Sequence, residues 1–402
     1  MLGSVGRVVL GLPTLALTVA GSAAAAMILL PPTARTWWPR LVLTEWSLLL
    51  IPPAVLGLLL ALATWWAGAR RTGFVAALLA SLTIVAAAVQ PARGAISASD
   101  HGVVPDLLGY FAGPSYGEAR PYETRRYATV DGRPLRLDVW TPQELRRSHP
   151  AVILVHGGGW VAGQRSARPQ WDRWFTEQGF VAFDIDYRLA RAGRPTWRQA
   201  PGDVACAVSW VRRNAARYGV DPDRLVLAGW SAGGQLALLA AYAGHEFPST
   251  CPRAGDDPTA GRTPPVSRVI ALYPPTHLAA LATDPRPRWH TDLHHRVQAY
   301  LRGHIGDTPS DRPEAYRAAD PATYVRPGLP PTMLVQGGAD YLVPPQYGRR
   351  MAQALERAGG GHRYVEIAYA GHGFDVSWGG FGTQVTRHAV TEFLAPLRPP
   401  AS

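Results

Sequence analysis

"LVLAGWSAGGQLALLAAYA", residues 225–243, decides the fold. It opens with an apolar run of strand type, Leu225 to Ala228, and closes with a helix rich in alanine and leucine; between them stands Gly229-Trp230-Ser231-Ala232-Gly233. A G-x-S-x-G turn in that setting lifts a serine oxygen above the edge of a sheet. Its glycines permit a strained turn and the close approach of neighbouring backbone. The pattern alone is cheap in a chain with 41 glycines, and a glycine-serine surface loop would also match it. The strand before it and the helix after it are what set it apart.

Working outward, "LVHGGGWVAG" (154–163) runs from a second apolar strand into three successive glycines. A serine that attacks a carbonyl carbon creates an oxyanion, and N–H donors must be in place before the charge appears. Gly158 and Gly159 offer unhindered N–H groups there, and Ala232 offers a third from the start of the helix after Ser231. Losing one such donor costs about 2.7–4 kcal/mol of transition-state stabilisation. A serine hydroxyl also needs a base, and the base needs an orienting acid. "GGADYLVP" places Asp340 just after a late apolar strand, and "YAGHGF" places His372 after the next. Asp375 is the fallback acid, less apt because it shares the turn of the histidine. His156 reads as an anchor of its loop. Trp160 and Trp230 read as pocket walls or as packed core.

The surrounding pattern is that of an α/β domain. "RRYATVDGRPLRLDVWTP" is a hairpin about Asp131-Gly132, "AVILVHG" and "FVAFDIDYR" are buried parallel strands, and "DVACAVSWVRRNAARYG" is an amphipathic helix stopped at Gly219. "PTMLVQGGAD" and "HRYVEIAYAGHGF" supply two late strands. Strands alternating with helices predict a mostly parallel, doubly wound sheet with ligand groups at the carboxyl ends of its strands.

His156-Gly157-Gly158-Gly159-Trp160, Asp186-Tyr187-Arg188-Leu189, Gly229-Trp230-Ser231-Ala232-Gly233-Gly234, Asp340 and His372 together resemble the α/β-hydrolase superfamily, in its hormone-sensitive-lipase-like and carboxylesterase branches. The resemblance covers most of residues 122–395. It implies an esterase with Ser231 as nucleophile, His372 as base, Asp340 as acid, and Gly158, Gly159 and Ala232 at the oxyanion positions. Trp230 departs from the lipase-like branch, where aspartate is usual, which bears on the subfamily and not on the chemistry. The membrane-tethered layout is similar to that of isoprenylcysteine methylesterases.

That layout comes from the first quarter of the chain. Val8 to Leu30, Trp46 to Trp66 and Gly73 to Val89 are apolar blocks without charge. About 20 residues cross a bilayer, so three transmembrane helices are expected in 1–93. A cleaved signal peptide is the competing reading of the first block; its apolar run exceeds the usual ~7–15 residues of such a segment. With the N-terminus inside, Arg7, Arg70, Arg71 and the amino group face Arg35, Arg40 and Arg93 across the membrane. That one-charge margin puts the catalytic domain on the outer face. Residues 94–121, rich in Gly, Pro and Ser, read as a linker with one short helix near Val104 to Tyr110, and 122–402 as the catalytic domain.

The formal charge of +11 is the excess of 40 basic residues, all arginine, over 29 acidic ones; the arginines are scattered and without a nucleic-acid motif. No nucleic-acid partner is expected. Cys206 and Cys251 lack C-x-x-C spacing; a disulfide and two buried thiols both remain open, and a bridge would favour an oxidising compartment. His290 and His294 stand i, i+4 on a helix, a zinc-compatible spacing, but no glutamate accompanies them and Asp292 falls on another face. No metal and no cofactor is expected. The stretch from Pro285 to Asp307 is a candidate lid. The expected reaction is hydrolysis of a small-molecule or lipid ester through an acyl-enzyme, with membrane lipids as the other partner. Acyl transfer to a lipid or sugar, amide cleavage and a non-catalytic scaffold are the alternatives.

Overall fold

The computed structural model describes residues 2–111, 121–143, 148–247, 249–251, 265–285 and 291–397. The chain divides into two compact units: Met1–Gly113 with Pro287–Leu293 and Ala368–Val385, and Pro114–Arg286 with His294–Ile367 and Thr386–Ser402.

In the first unit the apolar blocks form α1 (Leu2–Leu29), α3 (Ile51–Trp66) and α4 (Arg70–Asp100), with the short α2 (Trp37–Glu45) and a 3-10 turn, Ser47–Leu50, between the first two. Leu10–Leu29, Ser47–Trp66 and Arg70–Asp100 are long and apolar enough to cross a membrane. Small residues let these helices close up. A Cβ on Gly73 would stand 2.7 Å from the Trp65 nitrogen, and one on Gly57 would touch Thr18. The outward faces stay apolar: Leu59, Leu78, Leu82 and Val85 are exposed, and Trp66 is 86% exposed.

α4 passes the expected end at Val89, runs through Pro91 and continues to Asp100, so residues 94–100 are helix and not linker. Packing explains the extension. Gly94 lies where a Cβ would meet the Phe381 and Tyr369 rings at 2.8 and 3.0 Å, so tertiary contact overrides the local breaker signals. α5 (Leu107–Phe111) matches the expected short helix. Residues 368–385, expected with the catalytic domain, pack in this first unit. The Tyr110 and Phe381 rings are 5.2 Å apart, Gln384 accepts from the Asp106 N–H and donates to its carbonyl, and the Gly382 N–H donates to Tyr369 Oη.

The second unit is built on an eight-stranded sheet in the order β1-β2-β4-β3-β5-β6-β7-β8. Its strands are β1 (Glu123–Val130), β2 (Arg133–Trp140), β3 (His149–Val155), β4 (Val181–Ile185), β5 (Val220–Trp230), β6 (Arg268–Leu272), β7 (Thr332–Gly337) and β8 (His362–Ile367). β1 and β2 form the expected hairpin, with Asp131 and Gly132 both at positive φ (50° and 73°) as a type I′ turn requires. β2 pairs antiparallel with β4, and every later pairing is parallel. α6 (Pro169–Glu177), α7 (Gln199–Arg213), α8 (Ala232–Tyr242), α9 (Leu278–Thr283), α10 (Thr291–Ile305), α11 (Pro313–Ala318), α12 (Pro345–Arg357) and α13 (Phe381–Leu394) complete the element order.

β3 and β4 are wholly buried, as their continuous apolar runs demand. Strand order reverses at β3, which pairs with both β4 and β5. The loops after β3 and β5 therefore emerge side by side at the switch point where open α/β sheets bind ligands. Cys206 on α7 and Cys251 beyond α8 are joined as a disulfide, their Cα atoms 5.0 Å apart.

Candidate active site

Ser231 is the hinge between β5 and α8. Its backbone has φ 51° and ψ −120°, a conformation L-residues seldom adopt, held by its N–H to the Leu272 carbonyl (2.8 Å) and by the Gln235 N–H donating to its own carbonyl (3.1 Å). The turn leaves no room for side chains at its flanking glycines. A Cβ on Gly229 would overlap the Gly233 carbonyl, and one on Gly233 would overlap the carbonyls of Val155 and His156. Both spacer glycines are thus required by the same tight crossing of strand, turn and helix.

The crossing brings the glycine loop against the serine. Val155 pairs with Gly229, and a Cβ on Gly157 would lie 2.9 Å from the Trp230 carbonyl oxygen and 3.4 Å from Ser231 Cβ. Gly158, Gly159 and Trp160 follow with φ of 119°, 60° and 63°, a left-handed run that explains successive glycines at the end of a buried strand. The loop is then tied down. His156 Nδ1 donates to the Gly157 carbonyl (2.7 Å), its ring stacks on Tyr187 at 4.3 Å, and Tyr187 Oη donates to the His156 carbonyl (3.0 Å). Burial lowers the pKa of His156, which keeps the ring neutral in this anchoring role.

Trp160 and Trp230 are both buried. Trp160 donates from Nε1 to Gln235 Oε1 (2.9 Å) and stacks on His304 at 4.5 Å, while Trp230 lies against Trp171 with the Arg168 guanidinium 5.7 Å from its ring. Gln235 also donates to the Ala319 carbonyl (2.7 Å). It was not among the expected site residues. Its signal was a lone amide side chain, four residues after Ser231, in a helix that up to Tyr242 is otherwise alanine, leucine and glycine. Tyr300 on α10 covers the glycine loop, its ring 2.8–3.0 Å from where a Gly159 Cβ would stand. His304, on the same helix, is held down to about 3 by burial. In the DYRL stretch, Asp186 accepts from the Arg165 N–H and guanidinium, and Arg188 pairs with Asp203. These bonds brace the loop after β4. His294 accepts from Gln298 Nε2 and Asp292 Oδ2 from the Ala34 N–H, whereas His290 lies outside the described residues.

Asp340 sits three residues beyond β7, buried. Its Oδ1 accepts from the N–H groups of Leu342 (2.9 Å) and Val343 (2.8 Å), and its Oδ2 from Gln336 Nε2 (3.1 Å). Three donors fix one carboxylate orientation, and Gln336, a polar residue inside an apolar strand, is a second supporting residue the sequence reading passed over. His372 lies five residues beyond β8 within the first unit, buried, between Gly371 and Gly373. Gly373, at φ 81°, opens a 3-10 turn, Phe374–Val376, that carries the buried Asp375.

Comparisons with known proteins agree with the α/β-hydrolase fold. The BD-FAE family model matches residues 137–355. Esterase LipC of Mycobacterium tuberculosis is 31% identical over 280 residues, 68% of this chain and 66% of LipC. Esterase LipQ of the same bacterium is 31% identical over 291 residues, 69% of this chain and 65% of LipQ. The matched region thus spans just under two thirds of each relative's own length. Esterase 2 of Thermogutta terrifontis, in a structure phosphonylated by sarin, superimposes with a TM-score of 0.58 at 27% identity, covering 71% of this chain and 99% of that one.

Proposed function

This chain belongs to the BD-FAE family, and on that footing we propose that it is a membrane-anchored α/β-hydrolase cleaving carboxylic esters through an acyl-enzyme. Ser231 Oγ attacks the ester carbonyl while His372 takes its proton; the N–H groups of Gly158, Gly159 and Ala232 receive the oxyanion. Collapse expels the alcohol, protonated by His372. Water, deprotonated by the same imidazole, then releases the acid and restores Ser231. Asp340, with its carboxylate fixed by three donors, orients the imidazole and stabilises its charged form.

The observation that carries the reading is the strained backbone of Ser231 at the β5–α8 turn with Gly157 lying against it. Esterase relatives support the ester as substrate, and the sarin adduct of the Thermogutta enzyme suggests that an organophosphonate probe will report on the nucleophile. Anchoring is supported by three long apolar helices whose outward faces stay apolar. The Cys206–Cys251 disulfide favours an oxidising compartment, and so the outer face.

The test is turnover of p-nitrophenyl acetate by the detergent-solubilised protein, beside fluorophosphonate labelling. Ser231→Ala abolishes both. Turnover retained in that variant removes Ser231 as nucleophile, and failure of the wild type to label supports a non-catalytic scaffold. Acyl products formed only with an added lipid or sugar alcohol point to transfer instead of hydrolysis.

A further inference from the structure

We propose that Glu45, the last residue of α2, is a positioning residue for the turn that carries His372, so that the N-terminal helices set the geometry of the catalytic base as well as tethering it. This inference rests on the reading of His372 as that base.

Glu45 is 1% exposed. Among the described residues, neither carboxyl oxygen has a hydrogen-bond partner and no ion pair to it occurs. A buried carboxyl without partners is costly, and the C-terminal end of a helix is the wrong end for a negative charge. Such a group calls for an explanation in terms of what it does.

The packing supplies one. α2 grips the segment after His372 at both of its ends. Leu41, one helical turn before Glu45, lies 3.7 Å from where a Cβ on Gly373 would stand. At the other end, a Cβ on Gly380 would be 2.9 Å from Glu45 Oε2 and 3.1 Å from Ser377 Oγ. The Glu45 carboxyl and the Ser377 hydroxyl, itself buried without a partner, therefore flank one glycine, with the turn bearing Asp375 between the two grips.

Among the described residues, the titratable groups that act on or respond to Glu45 are Asp375 from the turn, Tyr110 from α5 and Tyr369 from the segment after β8. No cation is among them. Burial, and then the charge of Asp375, push the Glu45 carboxyl well above its ordinary range. A neutral Glu45 adds no charge beside Asp375, and the turn stays seated on α2. An ionised Glu45 adds a second negative charge beside Asp375 in a buried site, pushing the turn off α2 and moving the adjacent His372. Activity is then lost on the alkaline side.

The experiment uses the full chain in detergent. kcat and KM for p-nitrophenyl acetate are measured between about pH 6 and about pH 10 for wild type, Glu45→Gln, Glu45→Ala and His372→Gln. Glu45→Gln keeps the neutral-pH kcat and extends the alkaline limb to higher pH. Glu45→Ala, which frees the turn, lowers kcat by about tenfold to a hundredfold with KM unchanged. A Glu45→Gln profile that overlays the wild type overturns the proposal, and so does one that differs only in melting temperature. Full activity in His372→Gln defeats the underlying reading of the base. An inactive His372→Gln beside an unaltered Glu45→Gln profile defeats this inference alone.

Discussion

Replacing Gly157 with alanine separates the role of the glycine loop in catalysis from its role in folding. Gly157 is not among the residues at positive φ, so alanine brings no backbone strain there. The only cost is spatial. The new methyl would stand 2.9 Å from the Trp230 carbonyl oxygen, a backbone atom that cannot swing aside, and 3.4 Å from Ser231 Cβ. Ordinary contact begins near 3.4 Å, so loop and elbow must part by about 0.5 Å. A misplacement of 1 Å at a reacting centre costs about a hundredfold, so half that distance predicts roughly a tenfold fall in kcat. Overpacking of this kind costs about 1–3 kcal/mol of stability, which leaves the protein folded. Gly159→Ala is the harsher companion, because residue 159 has φ 60° and its methyl would enter the Tyr300 ring. The assay is kcat for p-nitrophenyl acetate together with the rate of fluorophosphonate labelling, with the melting temperature as control. Wild-type kcat and labelling in Gly157→Ala would refute the claim that this loop borders the reacting centre.

Two further expectations concern stability. The disulfide closes a separation of 45 residues, so Cys206→Ser with Cys251→Ser loses about 4 kcal/mol by the chain-entropy account, read as a lower urea midpoint; an unchanged midpoint would count against the bridge. Asp320, which caps the 3-10 turn Pro321–Tyr324 and accepts from the Leu278 N–H, is pushed up to about 7 by burial. Between the ordinary carboxyl range and about 7 the folded state holds a proton that the unfolded chain has released, so stability falls as pH rises through that window and levels off above it. Asp320→Asn should shrink the difference in unfolding free energy between about pH 5 and about pH 8; an undiminished difference would show that other groups carry it.

The elements legible in the sequence were those that local physics specifies. The β5–α8 turn declares itself because only glycine tolerates the carbonyls that crowd positions 229 and 233, and the β1–β2 hairpin because Asp131-Gly132 suits two positive φ angles. The placement of Asp340 just beyond β7 follows from the same apolar-strand logic. What escaped depends on partners distant along the chain. α4 outruns its apolar block because Gly94 seats against Phe381 and Tyr369, and nothing near Gly94 announces residues nearly three hundred positions away. Gln235 and Gln336 stood out only as polar side chains in apolar elements, because a glutamine supports a site through what it reaches, here Trp160 and Asp340. The disulfide stayed open for a like reason: spacing does not reveal that α7 and the segment after α8 bring two Cα atoms to 5.0 Å.

The first unit closes around residues 368–385, yet almost the whole second unit is synthesised between α4 and that segment. On a ribosome, then, the apolar helices emerge early and wait with the Phe381 side of Gly94 uncovered until that later segment has been made. Contacts so distant in the chain form late, and until they form the nascent protein already holds its serine turn but lacks the last piece of its helical unit. Assembly order by itself would hold the helical unit incomplete until the sheet-bearing unit has been made.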